Sequence, residues 1–151
     1  MTKPKISNED VQYGKVLVAA RIENIGDLHG VDQGTLPADA VRTVIVPDAL
    51  VDTGATGQSM PASLLAGLGL KHLRTRQART SAGEIQVRLF GTVRLTVQGR
   101  DYPVDVTELP DGCPVLIGQI PLEAMDFVVD MTRHQLTGNP AHGGDHIIEL
   151  Y

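Results

Sequence analysis

The segment ALVDTGATGQSMP, residues 49–61, drives three apolar residues straight into Asp52 and then surrounds that aspartate with small, turn-forming residues. Such a run reads as a short buried strand that delivers a carboxylate to a tight loop. A charged group at the end of a buried strand is expensive unless it is hydrogen-bonded or used in chemistry. Further on, Val115-Leu116-Ile117-Gly118 repeats the apolar triplet closed by a small residue. Both triplets are followed by a proline and a helical turn: Pro61 with ASLLAGLGL, and Pro121 with LEAM. The echo predicts two related halves, each a strand, a glycine turn and a short helix.

The rest of the chain is read around these two motifs. The stretch from Gly14 to Ile25 alternates, with Val16, Val18, Ala20 and Ile22 on one side, as a strand with one buried face does. The Gly-, Asp- and Pro-rich stretch 26–40 is expected to be a surface loop. VRTVIV is expected as a strand, Pro47-Asp48 as a turn, and Ala49 to Val51 as the strand into Asp52. In the helix after Pro61, Leu64, Leu65 and Leu68 make the apolar stripe, and Gly67 and Gly69 end it. Residues 71–108 read as hairpins in series, turning at Ser81-Ala82-Gly83-Glu84 and at Gln98-Gly99-Arg100-Asp101. FVVD is a further strand, and the segment from Gly138 onward has loop composition until IIELY.

Composition narrows the function. Two Phe, three Tyr and no Trp leave an aliphatic core and no aromatic platforms for stacking bases. A net charge of -5 argues against a phosphate backbone as partner, since such binders concentrate cations. No nucleic-acid partner is expected. Cys113 is the single cysteine, which provides neither a disulfide nor a thiolate cage and fits a reducing compartment. MTKPKISNED lacks a signal-peptide core, and no run of 18 apolar residues occurs, so a cytoplasmic protein without membrane association is expected.

With LVDTGAT at 50–56, VLIG at 115–118 and a hairpin turning at TSAGE, residues 41 to 137 resemble the retropepsin-type aspartic proteases, the single-domain relatives of retroviral proteases that also occur in bacteria. The resemblance implies an all-β, barrel-like acid-protease fold with one or two short helices, active as a homodimer. It implies a domain over 14–137, after a polar leader over 1–13, and a C-terminal tail over 138–151. Asp52 would be the catalytic residue, one from each subunit. Thr53 would send its hydroxyl to the partner's backbone, Gly54 would let the backbone approach the carboxylate, and Ala55 would leave room for substrate, with Thr56 completing the loop. Ser81, Ala82 and Gly83 would form the tip of a flap that closes over a peptide or protein substrate. Leu116, Ile117, Gly118 and Gln119 would form the second-motif strand. Many retroviral members carry an Asp–Arg pair where this chain has Thr56 and Gln119, so a hydrogen bond between these two is the expected replacement. The C-terminal strands of the family commonly join an intersubunit sheet, so IIELY is expected at or near the dimer interface.

The chemistry fits one such aspartate per chain. Hydrolysis of a peptide bond without a metal or a covalent nucleophile needs one carboxylate to take a proton from water and one carboxylic acid to hydrogen-bond the carbonyl oxygen. Two carboxyls about 3 Å apart cannot both ionise, and the pair shares a proton. No second Asp-Thr-Gly or Asp-Ser-Gly follows residue 57, so two-fold association would have to build the pair. The alternative is a catalytically silent peptide-binding or dimerisation module on the same fold. No metal or cofactor is expected: His142 and His146 read as part of a solvated tail, because zinc needs three or four convergent ligands. Lys71, His72, Arg74, Arg76 and Arg79 form the main basic patch, read as a charged solvent face in preference to the alternative, a surface that attracts acidic substrate residues. Cys113, with no histidine nearby in sequence, reads as packing.

Overall fold

A computed structural model describes residues 15–150; the expected leader over 1–13 and Tyr151 lie outside the described residues. Nine strands and three short helices follow one another along them: β1 Val16–Asn24, α1 Ile25–Asp32, β2 Thr43–Val51, β3 Gln58–Pro61, α2 Ala62–Ala66, β4 Lys71–Thr80, β5 Gly83–Val97, β6 Arg100–Leu109, β7 Leu116–Ile117, α3 Gln119–Ala124, β8 Phe127–Asp130 and β9 Gln135–Gly138. Strands make up 49% of the described residues, and six of them close into a barrel, as the all-β expectation required.

Around the barrel the order is β1-β2-β7-β3-β6-β5, and pairing of β1 with β5 closes it. β2 runs parallel to β7 and β3 parallel to β6, whereas the other neighbours are antiparallel. The alternation in β1 sets its orientation: Val16, Val18, Ala20 and Ile22 are all buried. They meet Val93, Leu95 and Val97 from β5, Val106 from β6 and Ile117 from β7 in a core whose one buried aromatic among the described residues is Phe127. β8 and β9 form a separate two-stranded ribbon, anchored by Leu136.

Two expectations are corrected here. Residues 26–40 are not all loop, because α1 begins at Ile25. Asn24 caps it by accepting the Asp27 N–H at 3.0 Å, and none of the helix's own residues is buried, so no apolar stripe announced it. Asn24 also donates to the Leu68 carbonyl at 2.8 Å, tying the cap to the end of the α2 segment. Pro47-Asp48 is not a turn but a bulge inside a continuous β2: Val18 pairs with Ala49 and Ala20 with Val46, so two residues oppose one. A bulge is where a strand tolerates a residue without an N–H. The strand β9, Gln135–Gly138, adds an element where the sequence assigned none.

The two hairpin turns fall where expected. Gln98 and Gly99 both have positive φ, 49° and 78°, the geometry of the two-residue turn that matches strand twist. Ser81 and Ala82 connect β4 to β5, and Thr80 Oγ1 bonds the Gly83 carbonyl at 2.8 Å and the Ala82 amide at 3.2 Å. β4 lies outside the barrel, paired to β5 alone, and its residues are exposed except for the half-buried Ala78. The β4–β5 hairpin is therefore an arm projecting from the barrel wall.

Candidate active site

Asp52 is the first residue beyond β2. Its placement rests on β7: the Leu50 amide donates to Val115 O at 2.8 Å and the Asp52 amide to Ile117 O at 2.9 Å. The parallel register sets Leu50 beside Leu116 and Val51 beside Ile117. Continuing one residue puts Asp52 and Gly118 at matching positions of the two motifs, so the echo in the sequence is a spatial pairing.

After Asp52 the chain turns tightly. The Ala55 amide bonds the Asp52 carbonyl at 3.1 Å, and Asp52 Oδ1 accepts the Gly54 amide at 3.0 Å. A Cβ on Gly54 would stand 3.2 Å from that same Oδ1, close enough to press on the carboxylate. The chain then returns as β3, antiparallel to β7, with Gln58 opposite Ile117 and Ser59 opposite Leu116. Loop 52–57 thus arches over Gly118 and is tied down on its far side. The Gln119 amide donates to Ala55 O at 2.8 Å and the Ile120 amide to Thr56 O at 2.9 Å, satisfying two donors that the start of α3 would otherwise leave open.

The structure brings together two groups of expected site residues. Asp52 and Ala55 are half-buried; Thr53, Gly54 and Thr56 are exposed at the rim. Beneath them Ile117 and Gly118 are buried and Leu116 is half-buried. The third group, Ser81, Ala82 and Gly83, forms the tip of the projecting arm, all exposed. The expected Thr56–Gln119 hydrogen bond is not formed: Gln119 Nε2 donates to Glu123 Oε1 at 2.6 Å, one turn along the same helix face. Thr53 and Gln119 border a hollow of about 340 Å3 with Leu122, Phe127, Val129 and Met131.

The tail is not simply solvated. His142 Nδ1 lies 2.6 Å from Asp126 Oδ2 and its Nε2 3.2 Å from Glu149 Oε2, while the Ile147 amide donates to the same Asp126 oxygen at 3.1 Å. His146 Nε2 sits 3.2 Å from the Ala124 carbonyl. Hydrogen bonding from His142, then from the Ile147 amide, holds the Asp126 carboxyl down at about 2; the two carboxylates raise the His142 imidazole above its ordinary value. These groups line a hollow of about 720 Å3 that does not include Asp52. The described tail forms no strand, and Ile147, Ile148 and Leu150 remain exposed. Sequence reasoning missed Asp126, whose partners lie 13 to 21 residues away.

Among known families, the model of the one described as aspartyl protease matches residues 41–120, more than half of the chain, from the start of β2 to the start of α3. No curated protein matches the sequence.

Proposed function

The chain belongs to the retropepsin-like aspartyl protease family, and on that premise we propose that it is an aspartic endopeptidase whose reacting pair is Asp52 from each of two subunits. One observation carries the reading. The two strand-loop motifs stand side by side, yet only the first ends in a carboxylate, because the position matching Asp52 is Gly118. A two-carboxyl mechanism in this family must then find its second member on another copy of the chain, and an isologous dimer supplies it.

In this reading one Asp52 carboxylate takes a proton from water as the oxygen attacks the carbonyl carbon of the scissile bond. The other, protonated, hydrogen-bonds the carbonyl oxygen. The resulting tetrahedral species collapses with breakage of the C–N bond as a proton passes to the departing amine. The Gly54 amide on Oδ1 fixes the orientation of each carboxylate. Thr53, exposed beside Asp52, reaches the partner loop. The β4–β5 arm acts as the flap, its tip at Ser81–Gly83 closing over an extended peptide and excluding water. Exposed Val128 and Met131, near Thr53 at the neighbouring hollow, contribute apolar area to the subunit contact, and the tail Ile147–Leu150 adds to it.

The test is a digest of a proteome-derived peptide library from about pH 4 to 7 with wild type and Asp52→Asn in parallel. Cleavage by wild type that vanishes in Asp52→Asn is expected. Equal cleavage by both removes Asp52 from the chemistry, and none by either leaves a catalytically silent binding module.

A further inference from the structure

The arm formed by β4 and β5 carries Lys71, Arg74, Arg76, Arg79 and Arg88 against the single carboxylate Glu84, on a chain whose net charge is -5. Cations on an exposed edge strand have an ordinary purpose, which is to discourage pairing with another sheet. That purpose does not account for how the charges are arranged on the two faces.

On one face, Thr75 lies opposite Arg88, Gln77 opposite Gln86 and Arg79 opposite Glu84. Its charges are neutralised within the protein: Arg88 makes a two-pronged contact with Glu108 at 2.9 and 2.8 Å, and Arg79 meets Glu84 at 3.2 Å. On the other face, Arg74 lies opposite Leu89, Arg76 opposite Val87 and Ala78 opposite Ile85. Neither Arg74 nor Arg76 meets a carboxylate among the described residues, although Arg21, Arg42 and Arg94 elsewhere each do. Two unneutralised guanidiniums therefore share a face with Val87, Leu89 and the 45% exposed Ile85. A hollow of about 430 Å3 at the base of the arm, reaching Ala62 and Glu108, is bordered by Ile85 and Val87 but also by Thr75, Gln86 and Arg88 of the first face.

We propose that Arg74 and Arg76 select substrates with acidic side chains, making this face of the arm the specificity-determining surface of the protease. The inference rests on the reading of the arm as the flap. A guanidinium presents a planar fork that matches a carboxylate. Residues two apart on a strand are separated by about 6.5 to 7 Å, the same spacing as alternate side chains of an extended peptide. The favoured substrate thus carries Asp or Glu at alternate positions with apolar residues to fill the surface of Ile85 and Val87. The surplus positive charge also draws acidic segments to an otherwise acidic molecule.

Two measurements test this. In the library digest, wild-type cleavage sites are expected to be enriched in Asp and Glu, and the enrichment disappears in Arg74→Gln/Arg76→Gln. Binding is measured on Asp52→Asn protein with a fluorescent extended peptide carrying two alternate Glu and with its Gln counterpart. The Glu peptide is expected to bind about fivefold or more tightly, as two partly exposed charge pairs allow. The preference shrinks between about 0.05 and 0.5 M salt, vanishes in the Gln double variant and is partly kept by Arg74→Lys/Arg76→Lys. Both side chains are exposed, and an unchanged melting curve verifies that the variants fold. A Glu-to-Gln ratio near one in wild type, or a preference untouched by the double variant, overturns the proposal. If no Asp52-dependent cleavage occurs, the proposed activity fails by itself and the binding ratio still decides the inference.

Discussion

Gly118 lies under the loop that Asp52 opens, so close that a Cβ at 118 would stand 2.7 Å from the Ala55 carbonyl oxygen. Its backbone, at φ -91° and ψ -175°, is extended and open to any residue. Glycine is required there for space, not for conformation.

Gly118→Val is accordingly expected to lift loop 52–57 off β7 and strain the Gln119–Ala55 hydrogen bond. Overpacking of this kind costs about 1–3 kcal/mol, read by urea unfolding, and Asp52-dependent cleavage should fall by at least tenfold. A variant that unfolds at the wild-type midpoint and cleaves at the wild-type rate would show that the loop does not rest on residue 118.

The Asp126–His142–Glu149 cluster predicts a pH window for the docked tail. The Asp126 carboxyl is lowered from 3.8 to about 2 in the folded chain, chiefly by His142 and then by the Ile147 amide, so its contribution is present above pH 3.8 and is lost as pH falls toward 2. His142 is raised above 6.5, chiefly by Asp126 and then by Glu149, so its contribution is full below 6.5 and is lost as pH rises through the folded value. Docking is therefore tightest in the mildly acidic range between the two. Hydrogen exchange at the Ile147 amide, corrected for its intrinsic pH dependence, should show protection that declines in wild type as pH rises above 6.5 and no such decline in His142→Gln. The same decline in both proteins would contradict the role of His142.

Gln58 is 1% exposed, and neither atom of its side-chain amide has a hydrogen-bond partner among the described residues. An unpaired buried amide carries its desolvation cost without return, about 1–3 kcal/mol. Gln58→Met, similar in volume, should raise stability by about that amount without altering cleavage specificity. A destabilised variant would mean that the amide is satisfied in solution.

What the sequence disclosed follows the physics of each element. β1 was legible because one buried face forces alternation, and the Asp52 loop because a carboxylate at the end of an apolar triplet is rare and costly. α1 carries no buried residue, and its only mark is the Asn24 cap three residues before Asp27. Continuity of β2 through Pro47 depends on a bulge opposite Ala19, which no local signal announces. QLTG is too short for its period to be read. That loop 52–57 arches over Gly118, and that Asp126 meets His142, follow from register and chain return, which join residues far apart in sequence. The Thr56–Gln119 bond failed because Glu123, one helical turn away, is the nearer partner for Gln119.

The central claim is that each reacting pair takes Asp52 from two chains, and subunit mixing tests it most directly. Wild-type protein is combined with Asp52→Asn protein at a wild-type fraction f, with exchange between subunits verified by native mass spectrometry of mass-tagged chains. Random pairing predicts activity proportional to f squared, so an equal mixture keeps about one quarter of the activity of the all-wild-type sample at the same total concentration. A linear dependence, with about one half retained in that mixture once exchange is complete, would contradict a shared pair and place the whole reaction within a single chain.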